Sequence, residues 1–81
     1  MGAINSLLTF EISHDGLQID IHGDETGLRS LADKVLRVIS SKGHDHLMTE
    51  SWAGNELSEE RQGEKSLLVN KVTIHYWTTD S

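Results

Sequence analysis

Apolar and polar residues alternate strictly across residues 8–13. Leu8, Phe10 and Ile12 point one way, and Thr9, Glu11 and Ser13 the other. A period of two with one apolar face predicts a half-buried β-strand. His14, Asp15 and Gly16 follow, and Asp-Gly between two alternating segments predicts a hairpin turn. The alternation then resumes, with Leu17, Ile19 and Ile21 apolar and Gln18, Asp20 and His22 polar. The two strands are expected to pair antiparallel with both apolar sets on one face.

After Gly23 the period changes. Leu28, Leu31, Ala32, Val35 and Ile39 recur at helical spacing, and Leu36 and Val38 widen the stripe. Asp24 is expected as the N-cap, with Glu25 suited to the positive end of the helix. Lys42 falls in the last turn, and Gly43 is expected to close the helix in the left-handed conformation. Gly27 in the first turn costs about 1 kcal/mol relative to alanine. Residues 44–52 alternate poorly but are expected as a third strand. Residues 53–66 are polar and acidic and predict a long loop, which at this length is often functional. In the last segment Leu68, Val72, Ile74 and Tyr76 share one face and Val69, Lys71, Thr73, His75 and Trp77 the other, with Asn70 interrupting the apolar face.

The order strand-strand-helix-strand-strand leaves one helix to cover one face of a sheet. That predicts an α+β, two-layer domain with a single helix on one face of a mostly antiparallel sheet. Residues 1–81 are expected to form a single domain. The opposite sheet face would carry Thr9, Glu11, Gln18, Asp20, His22, Lys71, Thr73, His75 and Trp77, open to solvent or to a partner.

Composition narrows the function. The chain contains no cysteine, which excludes disulfides and thiolate metal sites. Seven Lys and Arg stand against 13 Asp and Glu, a net charge of −6. That is the wrong sign for nucleic acid or an anionic membrane, whereas a cationic protein would be steered toward the surface. No apolar run approaches the ~20 residues of a bilayer span. The first residues show no charged segment leading into an apolar one, so no secretory signal is expected. Gly2 and Ser6 fit the short myristoylation pattern, but no basic patch supplies the second anchor that stable attachment needs.

Candidate chemistry is sparse. His44 and His46, on an extended segment, would project from one side about 7 Å apart. Two imidazoles can begin a zinc or copper site, but further ligands would have to come from His22, His75, Asp45 or Glu50. No metal or cofactor is therefore expected. Ser13, His14 and Asp15 are adjacent in a turn and lack the geometry of a triad. The opening of the helix could hold an anion with its amides, but Asp24 and Glu25 oppose one. No nucleophile elbow, phosphate loop or paired-carboxylate motif is present, and no catalytic residue is expected. Trp52, at the root of the acidic loop, could pack against Trp77 or Tyr76, or could serve as an interface anchor.

The segment "HDHLMTESWAGNELSE", together with "NKVTIHYW", resembles a family of small immunity proteins of bacterial polymorphic toxin systems, the family numbered 32. The resemblance spans the hairpin, the "GDETGLRSLA" helix entry, the "HDHLM" segment, the W-x-G-x-E-L turn and the final aromatic strand. It implies a non-enzymatic antitoxin that binds and neutralises a cognate toxin in the cytoplasm of the producing cell. His44, His46, Trp52, Gly54 and Glu56 are the family-like positions. The expected partner surface comprises His44, His46, Trp52, Glu56, Glu59, Glu60 and Glu64. Against a basic nuclease its carboxylates would mimic phosphate and speed association. A histidine-based metal-binding or regulatory module is a second reading. A third is a homo-oligomer that pairs exposed strand edges. Both monomer and homodimer are compatible with the sequence.

Overall fold

The structure is a computed structural model that describes residues 6–78; Gly2 of the acylation pattern lies outside them. Alternation becomes structure where it was strongest. Strand β1 (Leu8–Ile12) pairs antiparallel with β2 (Ile19–Gly23), and Phe10 stands opposite Ile21 and Ile12 opposite Ile19. Both apolar sets therefore share one face. The turn between them is held by the N–H of Ser13 on the carbonyl of Gln18 (2.9 Å) and by Gly16 at φ +75°. Ser13 Oγ and the N–H of Leu17 both donate to Asp15 Oδ1, so these side chains build the turn.

Helix α1 (Glu25–Ser41) starts where the cap was expected: Asp24 Oδ1 accepts the N–H of Gly27 at 2.7 Å. It ends differently. Lys42, not Gly43, takes the left-handed conformation at φ 57° and donates its N–H to the carbonyl of Val38. The buried face is also rotated from the apolar stripe. Gly27 and Val38 are buried, Leu31 and Lys34 half-buried, while Leu28, Ala32, Val35, Leu36 and Ile39 stay exposed. Two contacts set that rotation. A Cβ on Gly27 would collide with the carbonyl of Leu7, so only glycine lets the helix lie this close to β1. Lys34 reaches Asp45 at 3.4 Å across the helix–sheet junction.

The remaining strands divide. Strand β3 (His44–Met48) pairs antiparallel with a late strand at Lys71–His75. The expected final strand is broken at Asn70. Its first part, β4 (Leu67–Leu68), joins β1, and its second, β5 (Lys71–His75), joins β3. Asn70 marks the break because its side chain and carbonyl are both engaged by Thr49, whose hydroxyl lies 2.7 Å from Asn70 Oδ1. The result is α+β with a three-stranded sheet in the order β2-β1-β4 and a two-stranded sheet β3-β5. Leu8, Phe10, Leu47 and Leu57 form the core, with Leu31, Val69, Val72 and Ile74 packed on it.

One face expected to be open is covered. Thr9 and Glu11 are fully buried beneath residues 58–66. The second edge of β1 is met by Ser58, whose N–H donates to the carbonyl of Leu8 and whose Oγ accepts the N–H of Leu8. The loop thus acts as a third layer on β1, which corrects the expectation of a polar face at Thr9 and Glu11. Gln18, Asp20, Lys71, Thr73, His75 and Trp77 are exposed as expected, and His22 is half-buried.

Candidate functional site

The acidic loop is built from two ends. At its start, a single 3₁₀ turn (Glu50–Trp52) follows β3, and Ala53 takes the left-handed conformation at φ 71°. Gly54 then passes so close to β3 that a Cβ would lie 2.6 Å from both the Cβ and the carbonyl oxygen of Met48. Glu56 Oε1 accepts the N–H of Met48 at 3.0 Å, the N–H groups of Glu56 and Leu57 return to the carbonyl of Met48, and Leu57 enters the core. Gly54, Glu56 and Leu57 of the W-x-G-x-E-L motif therefore clasp the end of β3. Trp52, the remaining position, is 53% exposed. It does not pack on Trp77, which is 80% exposed; the one aromatic pair among the described residues is His44 against His75.

At its far end the loop is tied to Glu11. Oε2 accepts from Thr9 Oγ1 (2.7 Å) and the N–H of Gln62 (2.8 Å); Oε1 accepts from the N–H of Gly63 (2.8 Å) and Ser66 Oγ (2.6 Å). Burial works to raise the pKa of this carboxyl, but the donors from Ser66, Gln62, Thr9 and Gly63 outweigh it and bring it down to about 2. A charged carboxylate thus organises residues 62–66 from beneath. Nothing in the sequence marks Glu11 for this role, because three of its four donors lie about fifty positions away.

Between these ends, Glu50, Glu56, Glu59 and Glu60 line one open groove of about 920 Å³. Glu59 accepts the N–H of Ser51 at 2.7 Å, and Ser51 holds its pKa below the ordinary carboxylate range. Burial opposes the charge on Glu56, but the N–H of Met48 and adjoining backbone N–H groups, with Lys34 behind them, lower its pKa as well. Both side chains are thus held ionised at neutral pH. Glu60 and Glu64 are exposed, and Glu64 does not line this groove.

The histidines lie elsewhere. His44 is exposed and stacks on His75 across the β3-β5 pair, with ring centroids 5.8 Å apart. His46 sits opposite Thr73 and is half-buried. It lines a second groove with Lys34, Asp45 and Glu56, and Asn55 and Glu56, which line both grooves, connect the histidine edge to the acidic groove. Among the described residues no group of three His, Asp or Glu is placed to hold a metal ion. No helix among them is long and apolar enough to cross a membrane.

The class is a small α+β domain that carries a groove lined by carboxylates at the root of an exposed tryptophan. A model of the Immunity protein 32 family matches residues 18–72, and the chain belongs to that family. No curated protein and no solved structure matches the chain. The matched span runs from the second strand of the hairpin to β5 and takes in Trp52, the whole acidic loop and both histidines of β3. Membership places a general toxin-directed binding role ahead of an enzymatic one.

Proposed function

We propose that this chain neutralises a cognate toxin by stoichiometric, non-catalytic binding in the cytoplasm of the cell that makes the toxin. What carries the reading is Trp52, exposed at the end of the turn whose first residue, Glu50, lines the acidic groove and whose second, Ser51, donates its N–H to the groove carboxylate Glu59. Three of the four motif positions have a folding duty, which leaves the tryptophan without one. A large exposed aromatic beside carboxylates suits an interface in which the ring supplies dwell time and the charges supply encounter rate.

The partner face in this proposal is Trp52 with Glu56, Glu59, Glu60 and the nearby Glu64, extended through Glu56 to His46 and His44. Its chemistry selects a toxin with a basic surface. The net charge of −6 adds long-range attraction for such a partner. Glu60 is the residue to perturb first, since Glu56 and Glu59 also hold backbone N–H groups. Co-expression with the toxin encoded beside it should restore growth. Glu60→Lys together with Glu64→Lys should slow association about tenfold at low salt, with a smaller effect at high salt as screening shortens. Parental association rates for that variant at low salt would remove the acidic loop from the interface.

A further inference from the structure

The outer edge of β2 has a pattern that complements itself. In the sheet order β2-β1-β4, no strand among the described residues pairs with that edge. In an antiparallel pair the N–H and C=O of one residue point to the same side, and successive residues alternate. Ser13 donates to the carbonyl of Gln18 across the hairpin, so Gln18, Asp20 and His22 turn toward β1. Ile19, Ile21 and Gly23 then present their backbone groups outward. The same alternation on β1 sends Leu8 and Phe10 to its other edge, where the N–H groups of Ser58 and Val69 meet their carbonyls.

The side chains on this edge are unusual for a surface. Ile19 and Ile21 are 60% and 48% exposed on the sheet face that bears the helix. Ile12 beside Ile19, and Leu67 beside Ile12, continue the apolar strip across the sheet. Leu28 of α1 stands over Gly23 at the other end, and Val35 and Ile39 carry an exposed apolar stripe along the helix. The strand itself has no proline, lysine or bulge, the usual guards against edge pairing.

We propose that a second copy of this chain pairs with β2 in an antiparallel, two-fold arrangement centred on Ile21. That register sets Ile21 opposite Ile21 and Ile19 opposite Gly23 of the second copy. Each pair consists of residues whose backbone groups face outward, so each can exchange both of its hydrogen bonds. On the apolar face the two Ile21 side chains meet, and Ile19 lies beside Leu28 of the second copy, whose side chain covers Gly23. On the polar face Asp20 meets His22 of the second copy, an acceptor opposite a donor, and symmetry repeats the contact. Asp20 is already held for this by Gln18 Nε2 at 3.1 and 3.2 Å. Centring on Asp20 would oppose two carboxylates and centring on His22 two imidazoles, so the charges select Ile21 as the axis. This inference does not depend on the toxin-binding proposal, whose face lies in the loop after β3.

The test is sedimentation equilibrium of the full chain at micromolar concentration. The parent should be a dimer. Asp20→His puts His opposite His, and His22→Asp puts Asp opposite Asp. Either variant should raise the dissociation constant about tenfold or more, because two complementary cross-strand pairs are lost. Mixing the two variants should restore association to parental strength, since each contact again opposes Asp to His. Ile21→Lys, at an exposed position, should give a monomer with parental circular dichroism, and it decides the matter should His22→Asp fail to fold. A parent that sediments as a monomer overturns the proposal, as does a dimeric Ile21→Lys or a mixture of folded variants that stays apart. Loss of toxin binding by a monomeric parent's Ile21→Lys variant would instead give the edge to another protein.

Discussion

Replacing Glu11 by glutamine removes the charge that orders the acidic loop from below. The carboxylate is fully buried and accepts four hydrogen bonds, two on each oxygen. An amide offers one accepting oxygen, so its NH₂ must face donors on the other side. Thr9 can rotate its hydroxyl to accept; the backbone N–H of Gln62 cannot reverse and is left facing another donor. Lowering the pKa from 4.5 to about 2 corresponds to about 3 kcal/mol in favour of the charged form in the folded state. Because the folded value lies below the unfolded one, this contribution is complete above the unfolded pKa and is lost as pH falls toward 2. The total for a small domain is often near the low end of roughly 5–15 kcal/mol, so the share is large. Urea unfolding followed by circular dichroism should show Glu11→Gln less stable by about 3 kcal/mol at pH 7. Between the unfolded pKa and about 2 the parent's curve should descend toward the variant's, whose own pH dependence is flatter. Amide exchange at Gln62 and Gly63 should quicken in the variant at neutral pH. Equal midpoints at pH 7, or parallel pH curves, would refute the assignment of Glu11 as the loop's anchor.

Gly27→Ala should destabilise the chain by about 1–3 kcal/mol despite alanine's better helix propensity, because the added methyl meets the Leu7 carbonyl; a raised melting temperature would contradict this. Leu31→Asp places a carboxylate where α1 rests on the core, and calorimetry should show a loss of about 3 kcal/mol or no folded state. Trp52→Ala, at an exposed position, should change stability by no more than about 1 kcal/mol in the same measurement while speeding release of the toxin.

The parts of this fold that were legible in the sequence are those set by local pattern. Alternation on either side of Asp15-Gly16 predicted an antiparallel hairpin with both apolar sets on one face, which the pairs Phe10–Ile21 and Ile12–Ile19 realise, and Asp24 was readable as a cap from its place before a helical stripe. Asn70 was visible as an interruption, although not as the point where one strand passes from one sheet to another. The helix rotation was hidden because its causes are not apolar: a glycine that permits backbone contact and a lysine that finds Asp45. Thr9 and Glu11 read as solvent-facing, since alternation reports which residues share a face but not whether a distant loop covers it. The W-x-G-x-E-L turn stood out in the sequence, yet the folding duties of Gly54 and Glu56 depend on the approach to Met48 and appear only in three dimensions.

The measurement closest to the central claim is a titration of purified toxin activity with this purified chain. Stoichiometric neutralisation predicts a linear fall in activity that reaches zero at one chain per toxin molecule, and Trp52→Ala should bend that line into a shallow curve while its melting temperature stays near the parent's. Activity abolished by a small fraction of an equivalent would indicate that the chain acts catalytically, and activity persisting at excess chain would deny neutralisation by binding; either result contradicts the account.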